Sequence, residues 1–453
     1  MRLSGWQSLA VSSLLLSALA TAELRPRYGR TLHVATRIAL SSLDPADDSQ
    51  PDTVARRNLT RLMFDTLVTM DSQGRVQPSL ATSWQVAPGN QRWQFHLQRG
   101  VRFQDGSPLT PEAVAASLRV ANPEWNVSAG AESVTIERQA HDPDLTAELS
   151  RARNGIAKRS GGNVTGTGPF GVADWQPGKK LNLSAQEGYW GGRAFVDAIE
   201  VAMGKSTRDQ LIELELGKTD IAEVATEQVQ RVSAAGRRVV TSASVEVMAL
   251  VFARDVRSPE EGKLRQALAL SIDRESIRSV VLQGVGEPSA AILPNWVSGY
   301  AFVYPVAQNL ERARQERSEV QHAPSWTLGY DTGDPVARVI AERIALNARD
   351  AGIALQTTTA ANADLRLTRL VLASADAHVA LRTVARSLEV PEPKLSNSVE
   401  DLYKAETAIL QTQRLVPLFQ LPASYALSPN VQDWNQDRDG TWHLEDVWLG
   451  NKP

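Results

Sequence analysis

Apolar residues along this chain switch repeatedly between a spacing of two and a spacing of three to four, and the switching continues over about 400 residues. Strands that alternate with helices in this way belong to an α/β protein, in which sheets are covered by helices. Gln91–Leu97 puts Trp93, Phe95 and Leu97 on one side, as a half-buried strand requires. Leu32–Thr36, Leu181–Leu183, Ala198–Ala202, Ile353–Thr358 and Leu415–Leu421 also read as strands. Val245–Ala253 is almost continuously apolar and reads as a buried strand that passes between two bodies of the fold.

Side chains that satisfy the free N–H groups of a first helical turn mark where the helices begin. Thr110 precedes Pro111, so a helix covers about Pro111–Val120. Ser206 and Asp209 open one that runs to Gly217. Ser258-Pro259-Glu260-Glu261 is a capping box before Leu264, Ala267, Leu268 and Ile272, and Asp273 caps the next helix. Asp334-Pro335 starts a helix with Val336, Val339, Ile340 and Ile344 on one face, and a last long helix begins at Ser398. Residues 122–163 hold Pro123, Gly130, Pro143, Gly155 and the Ser160–Asn163 cluster without a long periodic stretch, so a small loop-rich section is expected there.

The first 22 residues point to export. Arg2 precedes an apolar run from Leu9 to Leu19 and the small-residue triplet Ala20-Thr21-Ala22, the order of a cleavable secretory signal with its cut before Glu23. The run is about half the roughly 20 residues of a spanning helix, and no later stretch is long enough to span. The chain has no cysteine. That excludes disulfides, thiolate metal ligands, a thiol nucleophile and a lipidated cysteine anchor, so a free periplasmic protein rather than a lipoprotein is expected. Of 48 basic residues Arg2 leaves with the signal, so 47 face 51 acidic ones at a net charge of −4. A mildly acidic chain without a basic block does not suit nucleic acid. About 430 remaining residues make two or three domains.

Three ordered blocks carry a resemblance. The first is Phe64–Trp84 (FDTLVTMDSQGRVQPSLATSW), continued by Trp93–Thr110 (WQFHLQRGVRFQDGSPLT). The second is Gly166-Thr-Gly-Pro-Phe170, then Trp175–Gly178 and Tyr189-Trp-Gly-Gly192. The third runs from Leu264-Arg-Gln-Ala-Leu268 through Ile272-Asp-Arg274 to Ile277, with Gly284 and Pro294 beyond it, and Val416–Phe419 and Asp446–Trp448 follow near the end. Together they resemble family 5 of the ABC-transporter solute-binding proteins, the periplasmic oligopeptide-, dipeptide- and nickel-binding proteins, over most of residues 31–300 and the last forty. Read by themselves, these residues are architectural. Asp105-Gly106 with Pro108 makes a tight turn before a capped helix, and Tyr189-Trp190 fixes a loop to a core.

Enzyme signatures are weak. Gly166-Thr-Gly168-Pro-Phe-Gly171 has the G-x-G-x-x-G spacing, but Pro169 removes a backbone donor and a strand follows where a dinucleotide site needs a helix. The six histidines, His33, His96, His141, His322, His378 and His443, are scattered without metal-ligand spacing. No G-x-S-x-G elbow occurs, so a binding protein without catalysis, cofactor or metal is expected.

The resemblance implies a two-lobed periplasmic binding protein fold (type II, peptide-binding cluster) with an interlobe ligand cleft. Lobe I would take residues 23–250 and 415–453, with a reduced subdomain at about 49–164, and lobe II residues 251–414. The chain would be the monomeric receptor of an ABC importer, closing on a peptide or similar small molecule and passing it to the permease subunits in the inner membrane. Candidate ligand-binding residues are Arg254, Trp296, Tyr300 and Arg382. Peptide-binding relatives carry an aromatic-acidic motif on a strand of the second lobe. Here the comparable stretch, Asp376–Thr383, has no Trp and no Asp-Pro pair, which points to a compact or non-peptide ligand and an anionic group at Arg382. A divergent scaffold for sensing or protein contact, a nickel-chelate binder and a periplasmic hydrolase stay open.

Overall fold

The structure, a computed structural model, describes residues 26–139, 143–300, 304–393 and 398–450. The expected signal segment, residues 1–22, lies outside the described residues, as does His141. No helix among those described is long and apolar enough to cross a membrane.

One mixed sheet of eleven strands runs through the molecule. Phe170–Gln176, Lys180–Ala185, Ala198–Ala202, Thr31–Ala35 and Ile221–Val224 form one half. Leu365–Val371, Trp326–Gly329 and Leu355–Thr358 form the other. Between the halves lie two long antiparallel strands, Arg238–Phe252 and Leu415–Leu427, which belong to both, and the short Glu287–Pro288 pairs with the second of them as the eleventh. Their upstream and downstream ends face different partners: Arg238 pairs with Leu427 in the first half, and Val251 with Leu415 in the second.

The apolar run at 245–253 is explained by burial on both faces. Met248, Leu250 and Phe252 enter one core with Leu264, Leu268, Ile340 and Ile344. Val247 and Ala249 enter another with Leu381, Leu402 and Ile409. Successive side chains of a strand point to opposite faces, so a sheet covered on both sides loses the apolar–polar alternation. Register breaks fall between Thr241 and Ser244, Ser244 and Glu246, and Met248 and Ala249. Pro422 and Pro417 stand opposite two of them, where a residue without an N–H is tolerated.

The first half has its own core of Leu32, Val34, Phe170, Leu183, Ile199 and Ile221, closed by Tyr425 and Trp442 from the returning C-terminal segment. A third core belongs to a small body built on the antiparallel sheet Ala81–Val86, Arg92–Leu97, Ser133–Glu137 and Asn126–Ala129, with the helix Pro111–Ala121 across it. Two of those strands lie where a loop-rich section was expected. They are four and five residues long, and only Val127, Val134 and Ile136 carry their inward face, too few for a visible period.

The capping expectations hold at Thr110, Ser206, Ser258, Asp273 and Ser398, each of which accepts a hydrogen bond from the backbone N–H three residues on. Val339 differs from expectation. It is exposed, while Val336, Ile340 and Ile344 make the buried face of Ala337–Asp350.

Candidate functional site

Beside the crossing strands the two halves of the molecule meet along a seam dense in charge. The helix Val54–Met63, capped by Thr53, presents Arg57 and Arg61 one turn apart on the same side. Arg57 is held by Asp52 at 2.7 Å, and its Nη1 donates to the backbone oxygen of Leu372, at the end of a strand 315 residues away in sequence. Burial works against the Arg57 charge, yet Asp52 raises its pKa above the ordinary value. The Asp52 carboxyl, also opposed by burial, is held below its usual range by Arg57.

Asn58 on the same helix is buried and ties down the C-terminal segment. Its side chain donates to Gly440 O at 2.9 Å and accepts from Trp442 N at 3.0 Å. Arg151 pairs with Glu148 at 2.9 Å, both side chains largely buried. Arg61 reaches Ser150 O at 3.1 Å and, among the described residues, meets no carboxylate within ion-pair distance. Burial, with Arg57 nearby, lowers its pKa. These groups enclose a cavity of about 30 Å³ together with Leu372–Ser374 and Asp439–Thr441. Arg57, Arg151 and Ala152 also line an adjoining space of about 250 Å³, with Arg56, Arg153 and Asp52.

A second set of contacts closes the seam farther out. His378 Nδ1 lies 3.2 Å from Asp144, and Arg382 is 3.3 Å from the other oxygen of the same carboxylate. The bond to Asp144, against some burial, raises the His378 pKa. Both basic residues stand on the helix Ala377–Ser387, whose Asp376 caps it by accepting from Val379 N at 2.9 Å. The stretch 376–383 is therefore helical, where the resemblance aligned it with a strand motif. His378, Asp144 and Asp376 are close enough to share an ion. The Arg382 guanidinium already supplies positive charge there.

The four sequence candidates fall in three places. Trp296 and Tyr300 come together on the wall of a cavity of about 800 Å³ that also touches Ser242, Ser244, Gln420 and Pro422 of the crossing strands. Trp296 Nε1 donates to Ser244 O at 2.8 Å, and the Tyr300 hydroxyl donates to the buried carboxylate of Glu406. Arg382 lies on the outer seam. Arg254 sits beyond the end of its strand, 3.4 Å from Asp364, and lines neither space. Sequence reasoning missed Arg57, Asn58, Arg61, Asp144 and His378. The one available signal was three arginines on a single turn-and-a-half of an otherwise core-forming helix.

The motif blocks converge elsewhere, on Asp65. Its carboxylate accepts from Thr167 Oγ1 at 2.8 Å, Trp190 Nε1 at 2.9 Å and Tyr189 Oη at 3.0 Å. Burial raises the pKa of Asp65 against these three bonds. The glycines of the second block are needed for close approach. A Cβ on Gly166 would stand 2.0 Å from Met63 O, and one on Gly168 2.6 Å from Met63 C. The G-x-G spacing thus serves helix-to-strand packing, and Phe170 begins a strand.

The family model described as "Bacterial extracellular solute-binding proteins, family 5 Middle" matches residues 75–378. The chain belongs to this family. Among relatives of the family 5 protein, the nickel-binding protein NikA of Staphylococcus aureus is 24% identical over 302 residues, 63% of this chain and 60% of that one. The peptide transport periplasmic protein SapA of Salmonella typhimurium is 25% identical over 287 residues, 52% of each chain. These matches span between half and two thirds of the curated relatives' own length. Solved structures cover more. NikA of S. aureus with Ni(L-His)2 superposes with a TM-score of 0.79 at 17% identity, over 93% of this chain and 100% of that one. A dipeptide binding protein from Pseudoalteromonas sp. SM9913 in complex with Met-Leu gives 0.80 at 15% identity, with the same coverage. The family 5 protein therefore has the two-lobed periplasmic binding protein fold.

Proposed function

We propose that the protein is the periplasmic solute-binding component of an ABC importer. It takes up a peptide or similar small solute between its lobes and delivers it to the permease subunits in the inner membrane. Residues 1–22 would direct export and be removed, and without a cysteine the receptor would diffuse free as a monomer. In this reading the lobes are residues 23–250 with 415–453 and residues 251–414, and the chain binds without catalysis. The carrying observation is the pair of crossing strands, broken in register at 241–246, with Arg57 and Asp144 of the first lobe meeting Leu372, His378 and Arg382 of the second beside them. Bulged strands bend more readily than regular ones, and closure over polar groups strengthens their contacts by excluding water. The relatives whose names mention nickel, peptides and dipeptides support a small polar solute.

The test is native mass spectrometry of the protein purified from the periplasm, paired with X-ray scattering. The expected outcome is a copurifying solute of defined mass. Its removal should enlarge the radius of gyration, and its return should restore the compact value. If no solute from a broad library changes either quantity, transport reception is wrong. That outcome favours the second reading, a scaffold for sensing or protein contact, which draws on the closed seam with its cavity of about 30 Å³.

A further inference from the structure

Most interior guanidinium groups in this molecule are balanced by the chain itself. Arg57 has Asp52, Arg151 has Glu148, and Arg369 has Asp334 at 2.6 Å and Glu246 at 3.4 Å. Arg265 has Glu261 at 2.6 Å and three backbone carbonyls besides. Arg274 lacks a carboxylate but directs three nitrogens at Pro417 O and Ala269 O. Among the described residues, Arg61 differs from these. One nitrogen reaches one carbonyl, and the residue lines the interlobe cavity. Asp437 and Asp439 act on it only from beyond ion-pair distance, and Asp437 is already engaged by His443 at 2.9 Å. Keeping a partly desolvated cation without a contact ion pair, with Asp437 and Asp439 acting only from a distance, costs free energy that folding alone gives little reason to spend.

We infer that Arg61 is the anchor for an anionic group of the captured solute, a carboxylate or a phosphate, and that the protein selects compact anionic solutes. This deepens the receptor reading above and rests on it. The planar guanidinium matches such groups with paired hydrogen bonds, which a lysine does not reproduce. The closed cavity of about 30 Å³ holds little more than a water or two, so the group enters while the lobes stand apart. The adjoining space of about 250 Å³ sets the size of the remainder. It lies just below the usual range for ligand pockets, about 300–1,000 Å³, and suits a body about as large as a dipeptide. Its arginines 56, 57, 151 and 153 outnumber Asp48 and Asp52, so the route to Arg61 is also net positive.

The experiment compares alanyl-alanine, its C-terminal amide and inorganic phosphate on the purified mature protein by calorimetry, with Arg61→Met and Arg61→Lys alongside. At least one of the two anions should bind. If it is the dipeptide, the amide should bind roughly tenfold or more weakly, as loss of a charge-assisted pair predicts. Arg61→Met should weaken the anion by a similar factor while melting no lower than wild type when empty, and Arg61→Lys should retain part of the affinity. The balance between dipeptide and phosphate identifies which anion the site prefers. Equal binding of acid and amide without any phosphate binding, unchanged binding by Arg61→Met, or a lower melting temperature of the empty variant overturns the inference. So does the absence of any response to carboxylate or phosphate. A neutral copurified solute that still closes the lobes would leave the receptor reading intact while removing the anionic one.

Discussion

Four residues apart on one stretch of chain, Arg61 and Asp65 are both charged groups withdrawn from water, and they are treated in opposite ways. Asp65, in the first motif block, receives three neutral donors from two segments of the second. Arg61 receives one carbonyl and a cavity. A buried charge whose valences are filled from within the chain serves as a joint of the architecture. One whose valences are left open is reserved for something the chain does not contain. The family motifs mark the joint, whereas the interlobe seam carries the open valence.

The comparison breaks most visibly at the joint. Gly166→Ala should be the most damaging change, because the new Cβ meets backbone, Met63 O at 2.0 Å, rather than a movable side chain. We expect a loss of about 4 kcal/mol or failure to fold, read from the urea midpoint with the slope unchanged. Asp65→Ala leaves the Thr167, Tyr189 and Trp190 donors without their acceptor and should cost about 3 kcal/mol. A cost under about 1 kcal/mol would mean that the joint is not where the motifs are held, and the contrast with Arg61 would lose its meaning.

A smaller effect belongs to the outer seam. His378 faces Asp144 and Asp376, with Arg382 beside them, and its pKa is raised above the ordinary imidazole value chiefly by the bond to Asp144. A raised pKa in the closed form stabilises that form fully below about pH 6.5, and the contribution fades as pH rises through the shifted value. Interlobe energy transfer between dyes should therefore report fewer closed molecules at alkaline pH, by at most about 1 kcal/mol. His378→Asn should flatten the profile. A flat profile in the unmodified protein would show that His378 contributes nothing to closure.

Much of the framework was legible because it is local. Thr110, Ser206, Ser258, Asp273 and Ser398 cap helices three residues ahead of themselves, and that spacing is visible in one dimension. The apolar run of the crossing strand shows burial on both faces without any knowledge of its neighbours. The seam is different in kind. Arg57 meets Leu372 and Asp144 meets His378 across 315 and 234 residues, and neither partner carries a pattern that selects the other. Arg254 and Arg382 looked free in sequence because Asp364 and Asp144, which hold them, are distant or unremarkable in the string. The strands at 126–137 escaped notice for another reason, since a four-residue strand holds barely two inward positions.

The two crossing strands have a mechanical consequence. Eleven paired positions between Arg238–Phe252 and Leu415–Leu427 make them a double ribbon rather than two independent tethers. A ribbon of that kind resists sliding and stretching but yields across its thin direction where the ladder is interrupted, as a leaf spring does. The lobes are thereby restricted to something near a single swing. Whatever group faces Arg61 when they part returns to the same position each time they meet, with alignment at the seam set by the backbone of the ribbon.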